Sequence, residues 1–222
     1  TRLRDHRFTN LTVCDHPLVA DRIRLLRDRF TDRAHFREAV YQISLLMTTM
    51  VTADVPYEAG KVNTPLTIAR GISVADDRIV VTAILRAGLP MAEAVQQIIP
   101  KAAIAHIGVY RDNSSHKPVE YVRRLPCAPH AYHLVVDPML ATGGSAIHVL
   151  DLLKHHYGKS LGSIRMMSLI AAPEGVAALE LSHPDVHIFV AALDDRLDDN
   201  AYIVPGLGDA GDRLFGTGNT EI

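Results

Sequence analysis

Apolar positions recur at helical spacing in the first quarter of the chain: Val19, Ile23, Leu26 and Phe30 fall on one face, as do Phe36, Val40, Ile43, Met47 and Met50. Residues three or four apart share one side of a 3.6-residue turn, so residues 1–53 are predicted to carry two amphipathic helices. After the polar, glycine-containing stretch from Asp54 to Asn63 the pattern changes. Apolar runs of strand length follow at Leu66 to Ala69, Ile79 to Leu85, Ala103 to Val109, Leu134 to Val136, Ile164 to Ala172 and Val186 to Leu193. Helices are predicted between four of these runs, at Met91 to Ile99, Ser145 to Tyr157 and Glu174 to Leu181. Strands alternating with helices imply parallel βαβ units, and so an α/β fold with a mostly parallel twisted sheet flanked by helices. Residues 111–129, polar with Ser-Ser, His-Lys-Pro and Arg-Arg, interrupt the alternation and read as a flexible flap hairpin.

Composition narrows the class. A chain of 222 residues, 48% apolar, can bury the core of one globular domain spanning residues 1–222. The formal charge of −2, from 23 basic and 25 acidic residues without a long single-sign run, gives no support for a nucleic-acid or membrane surface. No apolar run approaches the roughly 18 residues of a membrane span, and the opening TRLRDHRFTN lacks the apolar core of a signal peptide, so a cytoplasmic location is expected. Cys14 and Cys127 stand far apart with no metal-type spacing and are expected to be reduced.

The chemistry concentrates in Val135 to Lys154, VVDPMLATGGSAIHVLDLLK. In an open parallel sheet ligands collect at the carboxyl ends of strands, where Asp137 is predicted to sit, and Pro138 biases it toward extended backbone at the rim. Gly143 and Gly144 permit a tight turn with exposed amides, Thr142 and Ser145 add hydroxyls, and the following helix points its positive end at that turn. Together these features make an anion cradle. It is not a nucleotide-triphosphate loop, because no lysine follows the glycines until Lys154. The string Gly206-Leu207-Gly208-Asp209-Ala210-Gly211 matches the dinucleotide fingerprint in letters only. That fingerprint must open a helix with an acid about 20 residues further on, whereas the sequence stops at Ile222. Asp209 among three glycines reads instead as a carboxylate on a loop that approaches a ligand closely.

Other constellations favour ordinary roles. His155 and His156 are adjacent on a helix, about 100 degrees apart, with no further ligand at metal spacing. The acids Asp194, Asp195, Asp198 and Asp199 read as a solvated loop, and Cys127 near His130 lies in a proline-rich loop without a marked base.

Several strings are similar to those of the uracil phosphoribosyltransferases, within the type I phosphoribosyltransferase fold. They are His16-Pro17-Leu18-Val19, Ile84 to Leu89 (ILRAGL), Val109-Tyr110-Arg111, Val136 to Ser145 (VDPMLATGGS), Ala171 to Gly175 (AAPEG) and Tyr202 to Arg213 (YIVPGLGDAGDR). The resemblance covers essentially the whole chain. Other members of the fold carry two adjacent acids where this chain has Asp137-Pro138, which discriminates against the purine enzymes. The resemblance implies a glycosyltransferase of pyrimidine salvage, converting uracil and 5-phosphoribosyl 1-diphosphate (PRPP) to uridine monophosphate (UMP) and diphosphate. Magnesium would travel on the diphosphate, with Asp209 near it. Asp137, Asp209 and Arg86 are the implied catalytic residues. PRPP would be held by Arg86, Arg111, Asp137, Pro138, Met139, Leu140, Ala141, Thr142, Gly143, Gly144, Ser145 and Asp209. Uracil would be held by Tyr202, Ile203, Gly208, Asp209 and Ala210, within a C-terminal hood at residues 194–222. The same resemblance implies a non-proline cis peptide between Arg86 and Ala87, a homodimer or higher homo-oligomer, and GTP as an activating nucleotide, the last two left open by the sequence itself.

The chain departs from the family pattern at Met50 to Glu58 (MVTADVPYE), where an acid is usual before the Ala-Asp, and at Asp112 to Lys117, which lacks expected acids. Subunit contacts or regulation are in question at the first, closure at the second. Two other classes stay open: a nucleic-acid-binding regulator on this fold, which would need a basic face, and a phosphoribosyltransferase for another base.

Overall fold

A computed structural model of the protein describes residues 2–4, 7–111, 118–158 and 161–217. Its parallel strands are β5 (Ile79–Leu85), β6 (Ala103–Arg111), β8 (Tyr132–Val136), β9 (Met139–Leu140), β10 (Ile164–Ala171) and β11 (His187–Leu193). Two short N-terminal strands, β1 (Arg2–Arg4) and β2 (Leu11–Cys14), and one following strand, β7 (Pro118–Arg124), complete the sheet. The order is β1-β2-β11-β10-β8-β5-β6-β7, with β9 also on β10; only the pairs at the two edges, β1 with β2 and β6 with β7, are antiparallel. β5 and β8 are buried along nearly their whole length, because helices cover both faces of the sheet.

One face packs against α1 (Pro17–Arg27), α2 (Arg33–Val51), α3 (Leu89–Ile98) and the short α6 (Ala210–Phe215); the core there includes Leu26, Phe36, Met47, Met91 and Leu214. The other face packs against α4 (Gly144–Tyr157) and α5 (Pro173–Ser182), through Val149, Leu150, Leu153 and Leu179. The predicted helices therefore all form. Phe30 is an exception to the predicted face of α1: Asp28 ends the helix, its carboxylate accepts from the Phe30 amide at 2.9 Å, and Phe30 is left 83% exposed.

The stretch from Asp54 to Asn63 differs from its reading as a polar link, and the strand read at Leu66 to Ala69 begins at Ile68 instead. Both contribute to a hairpin of β3 (Tyr57–Asn63) and β4 (Ile68–Val74), which among the described residues pair only with each other. All of β3 is exposed, so no buried face imprints alternation on its sequence. β2 was missed for a related reason: its four residues gain strand character by pairing with β11, about 175 positions away. The non-proline cis bond lies between Leu85 and Arg86, one residue before the expected Arg86–Ala87. It falls where β5 ends and the Gly88 amide turns back onto the Ile84 carbonyl at 2.9 Å. A second cis bond joins Val204 to Pro205. No described helix is long and apolar enough to cross a membrane.

Candidate active site

The strands β5, β6, β8 and β11 deliver Arg86, Arg111, Asp137 and Asp194 to the same edge, because parallel strands end on the same side. At its centre the chain kinks. β8 pairs with Ile164 to Met167 of β10, the Pro138 carbonyl accepts from Leu169 and Ile170 at 3.1 Å, and β9 rejoins β10 at Ile170 and Ala171. Asp137 occupies that kink. It is part-buried, and burial pushes its carboxyl up to about 7; a hydrogen bond from the Met139 amide works against this rise, and the negative charge of Asp209 adds to it. Nothing among the described residues offers Asp137 a cation.

After β9 the chain turns through Ala141 and Thr142 into α4. Gly143 has φ +82°, a region that L side chains occupy only with strain, and its carbonyl accepts from the Ile147 amide at 2.8 Å to start the helix. The amides of a first helical turn have no partners within the helix, so the turn presents donors beside Asp137. Gly88 ties a second loop to this one: a Cβ there would lie 2.4 Å from the Val136 carbonyl, so the start of α3 packs directly on the end of β8. Arg86 therefore leaves its strand next to Asp137. Its guanidinium donates to the Thr217 hydroxyl at 3.1 Å and lies 5.4 Å from the Phe215 ring centre. Pro138 and Leu140 are buried, Met139 and Ser145 part-buried, and Leu140 belongs to the core beneath the turn.

The hood closes the other side. A small hairpin of β12 (Arg196–Leu197) and β13 (Ile203–Val204) leads into the Pro205 to Asp209 loop, and Asp209 caps α6 by accepting from the Asp212 amide at 2.8 Å. Ile203 and Ala210 are buried, while Tyr202 is half exposed. Tyr202, Gly208 and Asp209 border a groove of about 760 Å³ that Arg29, Thr31 and Arg33 also line. Of the residues singled out by sequence, all but one have described side chains near this edge. Arg111 closes β6, but its side chain, like residues 112–117 of the flap, lies outside the described residues.

The chain matches the uracil phosphoribosyltransferase family over residues 13–217. A uracil phosphoribosyltransferase of Geobacillus kaustophilus is 50% identical over 206 residues, covering 92% of this chain and 97% of that one. The chain belongs to the uracil phosphoribosyltransferase family. A solved structure from Aquifex aeolicus superposes with a TM-score of 0.87 at 32% identity, covering 93% of this chain and 98% of that one. An adenine phosphoribosyl transferase of Trypanosoma brucei, at 12% identity and TM-score 0.59 over all of this chain and 96% of its own, shares the phosphoribosyltransferase fold.

One residue at this edge was not legible from sequence. Asp194, read as part of a solvated acid run, is buried and paired with Arg27, while Asp198 accepts amides within an exposed turn, as read. No local pattern separates Asp194 from its acidic neighbours; only its place directly after an apolar strand hints at it.

Proposed function

We propose that this edge of the sheet transfers the phosphoribosyl group of PRPP to uracil, forming UMP and diphosphate, with each substrate on one half of the cleft. The turn from Ala141 to Ser145 receives the 5′-phosphate on the donors of α4. Arg86 and Arg111 face the leaving diphosphate, where planar guanidinium groups match phosphate oxygens. Asp137 accepts from the ribose hydroxyls and, ionised, favours the positive charge that builds on the sugar ring as the bond to diphosphate breaks. Ile203 and Gly208 to Ala210 hold the uracil edge with main-chain groups, Tyr202 beside them.

The observation that carries this reading is Asp137: a carboxylate at a strand end, beside the turn into α4, raised to about 7 by burial first, with the charge of Asp209 adding to the rise. Two acids of like charge with no described cation between them suit a substrate that brings Mg²⁺ with it. The described residues contain no group of three or more acid, histidine or cysteine side chains able to hold a metal by themselves. Asp209, with Asp137, would hold the ion, which supplies charge neutralisation for the diphosphate.

The test is a panel of bases incubated with PRPP and Mg²⁺, reading UMP and diphosphate. Fixed backbone groups present a donor to the 4-oxo group and an acceptor to N3–H, and cytosine reverses both partners. Two mismatches at about 1–3 kcal/mol each give roughly 30-fold to about 10⁴-fold discrimination. 5-Fluorouracil keeps both groups and is used well; cytosine turned over within a few-fold of uracil would sink the backbone readout.

Assembly as a homo-oligomer is part of the same reading. A free two-stranded hairpin is barely stable in water, yet this one exposes Leu66 at 95% in its turn and Ile72 at 66% in β4, and sets Lys61 directly opposite Arg70. A second copy of this chain packed on the hairpin would cover that apolar surface. The unpaired Cys14 and Cys127 suit a reducing compartment, the cytoplasm.

A further inference from the structure

The base-reading loop is fastened to the first helix by a buried ion pair. The Asp194 side chain is 1% exposed. It accepts from Arg27 twice, at 2.8 Å to Oδ2 and 2.5 Å to Oδ1, and from the Gly206 amide at 2.8 Å. Arg27 Nη1 also donates to the Gly206 carbonyl at 2.9 Å, so both main-chain polar groups of Gly206 are held. On either side the Val204 carbonyl accepts from the Asp195 amide at 2.9 Å, and the Leu207 carbonyl from Arg213 Nη1 at 2.9 Å. Arg213 in turn grips the Leu26 and Asp28 carbonyls at the end of α1.

We propose that Arg27 and Asp194 are positioning residues for base selection, fixing through Gly206 the main-chain groups of Ile203 and Gly208 to Ala210; this rests on the reading of those groups as the uracil site. Readout by main chain discriminates only if the loop cannot move, since a displacement of about 1 Å lets a mismatched base find new partners. The loop has little rigidity of its own. β12 and β13 pair over two residues each, and the segment Pro205-Gly206-Leu207-Gly208 belongs to no helix or strand. A buried ion pair is a weak source of net stability, because desolvation offsets most of its attraction, so its geometry is the property this site uses.

The experiment measures kcat and KM for uracil and for PRPP, together with the uracil-to-cytosine specificity ratio, in the wild type and three variants, with melting temperatures alongside. The variants are Asp194→Asn, Arg27→Lys and the double change Arg27→Met with Asp194→Leu. The double change replaces both charges with apolar groups and preserves folding if Asp194→Asn does not. For Asp194→Asn and the double variant, KM for uracil rises at least about 10-fold, the low end for losing a hydrogen bond to a charged group, and the specificity ratio narrows by a similar factor. KM for PRPP stays within about twofold, since α4 and Arg86 are untouched, and Arg27→Lys, which keeps charge but loses the fork, falls between. A folded variant that keeps the wild-type specificity ratio, or loses uracil and PRPP binding in parallel, overturns the proposal alone. A wild type that barely separates uracil from cytosine overturns the reading beneath it.

Discussion

Asp137 and Gly143 sit six residues apart on one strand-to-helix turn, and each is costly where it stands. The charged form of Asp137 is disfavoured by burial first and by the charge of Asp209 besides, so its carboxyl holds a proton up to about 7. Only the ionised form helps a cationic ribosyl centre. The specificity constant for PRPP reports the free enzyme, so it rises with pH and levels off above about 7. Asp137→Asn keeps the shape, removes that acid limb and lowers turnover by roughly 100-fold or more while the circular dichroism is unchanged. Turnover within a few-fold of wild type, or a limb that persists in the variant, rules out this role. Gly143 holds φ +82°, and a Cβ there would stand 3.1 Å from the Gly175 carbonyl. Gly143→Ala costs about 1–2 kcal/mol in the left-handed region, which is expected to appear as a KM for PRPP raised about 10-fold with KM for uracil unmoved. A defect on the uracil side alone would show that the turn serves another ligand.

At the scale of elements, what could be read from sequence was what the local pattern encodes. β5, β8 and β10 are buried on both faces, so they appear as continuous apolar runs, and α3, α4 and α5 follow between them. The turn from Asp137 into α4 was legible for the same reason: strand end, turn and helix start are contiguous in sequence. The hood side of the cleft was only partly legible. Arg27 carries no local signal of its role, because its partner lies 167 positions away. The hairpin of β3 and β4 was obscured because exposure on all sides of β3 leaves no alternation to detect. That hairpin yields a prediction of its own. Leu66→Ser with Ile72→Thr removes apolar surface while retaining strand propensity at Ile72, and should shift the sedimenting species toward monomer without loss of a cooperative melt. An unchanged sedimentation profile would place the subunit contact elsewhere.

Across the whole molecule two buried groups pull stability in opposite directions with pH. His133 lies in the centre of the sheet with no hydrogen-bond partner for either ring nitrogen among the described residues, and burial lowers its pKa to about 4. The unfolded chain therefore binds the extra proton between about 4 and 6.5, and this contribution is full above 6.5 and lost as pH falls toward 4. Asp137 has the reverse sign. Its folded pKa is raised, so its contribution is full below 3.8 and is lost as pH rises through about 7. Each group accounts for one proton, so over the shared window the two slopes cancel. In melts without ligand the advantage of Asp137→Asn over wild type grows from about pH 4 to about pH 7, whereas the standing of His133→Leu against wild type declines as pH rises to about 6.5. Parallel curves for wild type and either variant would remove that group from the account.

The long-range pairing of β2 with β11, and of Arg27 with Asp194, also sets an order of events during synthesis. A ribosome releases β2 and α1 early, yet the strand that shields β2 and the acid that engages Arg27 are among the last fifth of the chain to emerge. Until then the nascent protein carries β2 with the edge away from β1 unpaired, and a guanidinium without its native acid. The two sides of the cleft consequently mature at different times: the turn into α4 is complete once α5 has been translated, while the loop from Pro205 to Asp209 forms only when Asp194 and Gly206 can close back on Arg27. Such a chain suits completion as a single late event, with the unprotected edge kept from its neighbours in the meantime.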